Sequence, residues 1–258
     1  MDTSHLPDFI IAGAPRSGTT WLCHLLELAP EIFMAQPLRP EPKFFLVDDI
    51  YAKGIDDYSR TWFSTAKPGA IKGEKSANYL ESAVAACRMA KHLPNVKLIF
   101  MLREPASRAY SNYLWSRMNG METEDFRTAL SLEAERDKNT PQDRRYSRPH
   151  AYFSRGLYAD HLGPYFEKFE RSRILCLRYE DIGEKPDFLT KQINHFLGLQ
   201  IPPDSFRSLG KVNAVPPAQE PPPEKSLQKL RGLYAAPNEK LAALLRGAFE
   251  IWEEKEYA

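Results

Sequence analysis

The stretch DFIIAGAPRSGTTWLCHLL, residues 8–26, decides the fold. Its first five residues are an unbroken apolar run, too short for a helix and consistent with a fully buried strand. The run ends at Gly13. After Gly18, the segment TTWLCHLLEL has apolar residues at helical spacing. The order is strand, tight glycine loop, helix. Between the glycines, Gly13-Ala14-Pro15-Arg16-Ser17-Gly18 has the GxxxxG frame of a loop whose backbone N–H groups converge on an anion, with the dipole of the following helix behind it.

Working outward, Val96 to Leu102 (VKLIFML) and Arg173 to Arg178 (RILCLR) read as further buried strands, each followed by a helical segment, ASRAYSNYLWSRM and DFLTKQINHFLGL. A shorter strand is expected at IKGEK near Ile71, and a helix through Ala83 to His92. Apolar strands without alternation, separated by helices, specify an α/β fold: a single-domain parallel sheet flanked by helices, spanning residues 1–258. Asp137 to His150 and Val215 to Pro223 read as irregular. The first clusters Arg144, Arg145 and Arg148, and is read as solvated surface or as a wall for an anionic acceptor.

The chain has 35 Lys and Arg against 34 Asp and Glu, a net charge of +1, which argues against a general nucleic-acid binder. Three widely spaced cysteines and six scattered histidines offer neither a disulfide framework nor a zinc motif. No apolar run approaches the ~18 residues of a membrane span, and MDTSHLPDF lacks the features of a signal peptide. A cytoplasmic protein without membrane insertion is expected.

The phosphate loop departs from that of nucleoside triphosphatases. Thr19 stands where their lysine would be, and the basic residue is Arg16, inside the loop. The strand VKLIFML delivers Arg103 where a magnesium-binding carboxylate would be wanted, which suits an additional phosphate. Asp181, in the RYED turn, is the remaining carboxylate available to a metal ion. A metal-free nucleotide is expected, with no metal ligands assigned. The competing classes are a kinase-like nucleoside-triphosphate enzyme and a non-catalytic nucleotide-binding protein.

With these residues on the page, the chain resembles the sulfotransferases that use 3′-phosphoadenosine 5′-phosphosulfate (PAPS), most of all the heparan-sulfate N- and 3-O-sulfotransferase branch and its bacterial relatives. GAPRSGTTWL matches that family's 5′-phosphosulfate loop and LREPASRAYSNY (102–113) its 3′-phosphate segment. EPKFF (41–45), KGIDDY (53–58), GEKSANY (73–79), GLYADHL, RYEDI and YAAPNEKL follow in order. The resemblance implies the sulfotransferase fold and PAPS as co-substrate, with adenosine 3′,5′-bisphosphate (PAP) as product. It also implies a small-molecule or glycan acceptor that takes the sulfuryl group on a hydroxyl or amine.

Site residues follow from the same match. Glu41 is the expected base, with Glu74 as a competing acid. Arg16 is expected to neutralise the leaving phosphate, and Lys75 to touch the sulfuryl group or the acceptor, or else to form a structural ion pair with Glu74. Arg16, Ser17, Gly18, Thr19 and Thr20 would hold the 5′ side; Arg103 and Ser111 would hold the 3′-phosphate. The relatives close the cofactor site with a cysteine-linked loop near the C-terminus. Here KVNAVPPAQEPPPEK replaces it without cysteines, and Lys211, or else Lys225, is the expected substitute.

Overall fold

The computed structural model describes residues 6–141, 146–202, 204, 205, 209, 223–247 and 249–252. Five strands form one sheet: β1 (Phe9–Gly13), β2 (Ile32–Met34), β3 (Ile71–Lys75), β4 (Lys97–Leu102) and β5 (Ile174–Arg178). Their spatial order is β2-β3-β1-β4-β5, and every pairing is parallel. Among the described residues ten α-helices accompany them: α1 (Thr19–Leu26), α2 (Asp48–Tyr51), α3 (Ile55–Phe63), α4 (Ala83–His92), α5 (Pro105–Met118), α6 (Phe126–Asn139), α7 (Tyr158–Lys168), α8 (Asp181–Glu184), α9 (Pro186–Leu197) and α10 (Glu224–Leu245).

The apolar runs lack alternation because both faces of the sheet are covered. Phe9, Ile11, Ile99 and Met101 pack with residues of α1 and α9. The intervening Ile10, Ala12, Leu98, Phe100 and Leu102 pack with α4, α7 and the end of α10. A third cluster joins α5, α6 and α10 through Ala109, Phe126, Leu230 and Tyr234.

β1 lies between β3 and β4, so the chain leaves β1 toward one side of the sheet and leaves β4 toward the other. A crevice opens at the carboxyl ends of strands where the order reverses in this way, and open α/β sheets bind ligands there. The phosphate loop and Arg103 both stand at that edge.

One local expectation changes. Asp137 to Asn139 belong to α6, which Asp125 caps by accepting from Arg127 N and Thr128 N, so the irregular segment begins later. Asp56 and Asp57 form the first turn of α3, where carboxylates suit the helix dipole. α10 stops at Leu245, and residues 249–252 lie outside it. Arg144, Arg145, Lys211 and all of 215–223 except Pro223 fall outside the described residues.

Candidate active site

The loop is built against the sheet. Ala14 N donates to Met101 O at 2.8 Å, tying the loop to β4. Gly18 has φ +81°, and a Cβ there would meet Tyr179 Cδ2 at 2.9 Å and Met101 Sδ at 3.1 Å, so both backbone and space require glycine. Gly18 caps α1 without a capping side chain, which leaves the first-turn N–H groups at Thr19 and Thr20 for an external acceptor. Thr19 is buried and Thr20 half-buried.

Two observations fit an anion on this loop. Ser17 Oγ is fully buried with no hydrogen-bond partner. Cations also converge without a counter-charge: Arg16 Nε donates to Ser111 Oγ at 3.3 Å, and Arg103 Nη1 to the Arg16 carbonyl at 3.4 Å. No carboxylate of the described residues forms an ion pair with Arg16 or Arg103. Burial first, then repulsion from Arg103 and Arg39, pushes the Arg16 guanidinium down to about 10. An anion between these groups would remove that penalty. Arg16 itself has φ +67°, a left-handed conformation that costs a side-chain-bearing residue energy and that clusters at binding sites.

Arg16, Arg103 and Ser111, predicted from sequence to share one nucleotide, are therefore brought together from the loop, the end of β4 and α5. Ser111 does not satisfy its own helix, and Arg103 does not cap its own strand. Tyr179, which sequence reasoning missed, lies beneath Arg103, with its ring centroid 4.7 Å from the guanidinium carbon. The signal was its place one residue past β5, the strand beside β4.

Glu41 and Lys75 also meet. Lys75 Nζ stands 2.7 Å from Glu41 Oε1, and their side chains are 3% and 15% exposed. The alternative Glu74–Lys75 pair does not form, because successive strand residues face opposite ways. Lys75 is in register with Ile11 and Glu74 with Ile10, the two sides of the sheet. Glu74 accepts instead from the Tyr58 hydroxyl, and its burial pushes the carboxyl up to about 7. The same enclosure holds the Glu41 loop: Phe45 N donates to the Tyr79 hydroxyl at 3.3 Å, and Lys43 N to Ser76 Oγ at 2.9 Å. Phe44 and Phe45 are buried beside Tyr58.

Lys43 is a second residue missed. It has φ +50°, its Nζ lies 4.5 Å from the centre of the Tyr146 ring, and burial lowers its pKa. Its position two residues after Glu41 in EPKFF was the available clue.

Arg148 is not the solvated surface arginine that one reading allowed. It pairs with Glu81 and Asp137, each at 2.9 Å, and donates to Ser154 Oγ. Asp181 is buried 3.7 Å from Arg178 Nη1, so a cation already faces it. Lys225 is exposed and lines a groove of about 1240 Å³ between α6 and α10, together with Leu130, Phe153, Lys229 and Leu230.

Comparison with known proteins identifies the family and the fold. A model of the sulfotransferase domain matches residues 6–230. The chain is 31% identical over 206 residues to the mouse bifunctional heparan sulfate N-deacetylase/N-sulfotransferase 4, covering 76% of this chain and 22% of that protein. It is 28% identical over 202 residues to the mouse heparan sulfate glucosamine 3-O-sulfotransferase 3B1, covering 77% of this chain and 47% of the relative. The chain thus spans less than half the length of either curated relative. The crystal structure of a sulfotransferase from Alicyclobacillus acidocaldarius superposes with a TM-score of 0.75 at 26% identity, over 93% of this chain and 96% of the other. The mouse sulfotransferase SULT7A1, solved with PAP, shares the fold at a TM-score of 0.51 and 19% identity, over 79% and 62% of the two chains.

Proposed function

The chain belongs to the sulfotransferase domain family, and from that premise we propose that it transfers a sulfuryl group from PAPS to a hydroxyl or amine of a glycan or small-molecule acceptor. The observation that carries this reading is the grouping of Arg16, Arg103 and Ser111 without a carboxylate, next to a loop with an orphaned buried hydroxyl. PAPS, when bound, supplies an activated sulfuryl group on a phosphate leaving group.

The loop N–H groups, Ser17, Thr19 and Thr20 would hold the 5′ side, and Arg16 would balance the charge that grows on the departing phosphate oxygen. Arg103 and Ser111 would hold the 3′-phosphate. Glu41 would take the proton as the acceptor oxygen or nitrogen bonds to sulfur and the sulfur–oxygen bond to phosphate breaks. Lys75, through its 2.7 Å pair with Glu41, would orient that carboxylate toward the acceptor. No step in this scheme requires a metal ion, since arginines stand where charge develops. The relatives' printed names support a glycan acceptor, and no helix among the described residues is long and apolar enough to cross a membrane.

The deciding experiment is calorimetric titration with PAP in EDTA, beside ATP with magnesium. Binding of the bisphosphate without metal, with ATP weak, supports the donor assignment and opens an acceptor screen. ATP binding that requires magnesium, with no response to PAP, replaces it with the kinase-like reading.

A further inference from the structure

Arg108 takes no part in the scheme above. It lies on α5 between Arg103 and Ser111, and is the largest side chain of the described residues to be completely buried. Its Nη2 donates to the Tyr152 carbonyl, whereas Nε and Nη1 have no hydrogen-bond partner among the described residues. No carboxylate of the described residues forms an ion pair with it. Glu104, one turn earlier, directs its carboxylate to Ala106 N, Ser107 N and Ser107 Oγ as the α5 cap. Glu81 is occupied by Arg148 and Arg155.

The charge of Arg108 is felt by Arg16 of the loop, by Arg155, by Tyr158 of α7 and by Tyr234 of α10. The contrast with the other buried arginines is informative. Arg155 bonds Glu81 at 2.6 Å, and Arg178 has Glu180, Asp181 and Glu184 within 4 Å. A guanidinium buried without an anion is costly to the fold. A chain that neutralises two such groups and leaves the third has a positive charge waiting for a partner.

Its location identifies that partner. Arg108 lies one helical turn before Ser111 on α5, and Ser111 Oγ accepts from Arg16 Nε of the phosphate loop at 3.3 Å, so the buried guanidinium belongs to the stretch of helix that faces the loop. Ser17 Oγ of that loop is fully buried as well, and the Tyr158 hydroxyl of α7 donates to the Arg103 carbonyl at 2.8 Å. We propose that Arg108 is a positioning residue for the loop's anion: a buried, uncancelled charge on the protein side of Ser17 that ligand binding neutralises in place of a carboxylate. The inference rests on the reading of this loop as the site of a phosphate-bearing donor. Because Arg108 is completely buried, salt screens its charge far less than that of a surface arginine. The same residue therefore burdens the free protein and strengthens the complex.

The test uses the full chain with Arg108→Met and Arg108→Lys, following thermal unfolding and calorimetric binding of PAP and of inorganic pyrophosphate at low and high salt. R108M is expected to melt no lower than wild type without ligand. It should bind both probes about ten- to a hundredfold more weakly at either salt concentration, with a smaller rise in melting temperature on adding PAP. R108K should retain most of the affinity. The proposal is overturned if R108M melts lower yet its folded fraction binds both probes as wild type does, which would make Arg108 a packing residue. If R108M does not fold, R108K decides: wild-type affinity supports the charge, and a folded R108K that has lost binding refutes it. Wild-type protein that binds pyrophosphate but not PAP would defeat the donor assignment while leaving this comparison valid.

Discussion

Lys75, at the end of β3, and Glu41, in the loop before Phe44 and Phe45, form a 2.7 Å ion pair almost closed to solvent. The pair joins two motifs 34 residues apart in sequence and fixes a carboxylate at the carboxyl edge of the sheet, on the side where the phosphate loop leaves β1. A salt bridge in that position does more than stabilise, because it determines where the carboxylate oxygen points.

Glu41→Gln keeps the shape and removes the proton acceptor. Turnover should fall about 10²- to 10⁴-fold, the usual contribution of a positioned base, while PAP affinity stays near the wild-type value. PAP release from PAPS in the presence of an accepted acceptor reads the first quantity, and calorimetry the second. Equal losses in both would make Glu41 a structural anchor for Lys75.

Arg103→Ala should separate the two ends of the nucleotide. Loss of a charge-assisted contact to phosphate should cost about 1.5–3 kcal/mol, roughly ten- to a hundredfold in PAP affinity. Adenosine 5′-monophosphate, which lacks the 3′-phosphate, should be affected much less. Parallel weakening of both ligands would remove Arg103 from the 3′ side.

Glu74 gives the fold a pH dependence of definite sign. Its carboxyl titrates near 4.5 when unfolded and near 7 when folded, because burial penalises the charged form. Between these values the folded state holds the extra proton, so the Glu74 contribution makes stability fall as pH rises from about 4.5 through 7. The shift corresponds to at most about 3 kcal/mol. Urea unfolding of wild type and Glu74→Gln between pH 5 and 8 should show the variant losing less stability across that range. Identical slopes would mean that Glu74 is ionised in its pocket.

Gly18→Ala should destabilise more than Gly54→Ala, although both glycines have positive φ. Around Gly54 a Cβ meets nothing within 4 Å, so only the backbone cost of roughly 1 kcal/mol applies. At Gly18 the same atom would press on Tyr179, Ile182 and Met101, adding about 1–3 kcal/mol of overpacking. Denaturant midpoints compare the two, and equal shifts would show that the loop yields to the added methyl.

The sheet was legible because β1, β4 and β5 are short, apolar and unalternated, a pattern few other structures produce. The phosphate loop was legible for a related reason: Gly13 and Gly18 bracket a turn between two readable elements. β2 was hidden, since three residues, IFM, carry no periodicity. The start of the polar 137–150 segment was misread because the end of α6 is exposed and charged; only its cap at Asp125 and its buried Ala129 and Glu133 reveal the helix. The Glu41–Lys75 pair needed the register of β3 against β1, which no single segment contains. Arg108 could not be singled out from sequence at all, because what distinguishes it is the absence of a partner.

The segment from Tyr146 to Gly156 is fastened from outside itself. Arg148 and Arg155 reach Glu81, Arg155 also bonds Asn112 of α5, Glu133 of α6 accepts from Phe153 N and Ser154 N, and the Tyr234 hydroxyl of α10 donates to Phe153 O. Its inner end meets the site where the Tyr146 ring underlies Lys43. Because four separate elements hold this segment by a few polar side chains, residues between the fastenings can diverge without disturbing the sheet or the phosphate loop. β1 and β4 carry the phosphate loop and Arg103 on backbone bonds, whereas this segment is held to its surroundings by side chains of other elements.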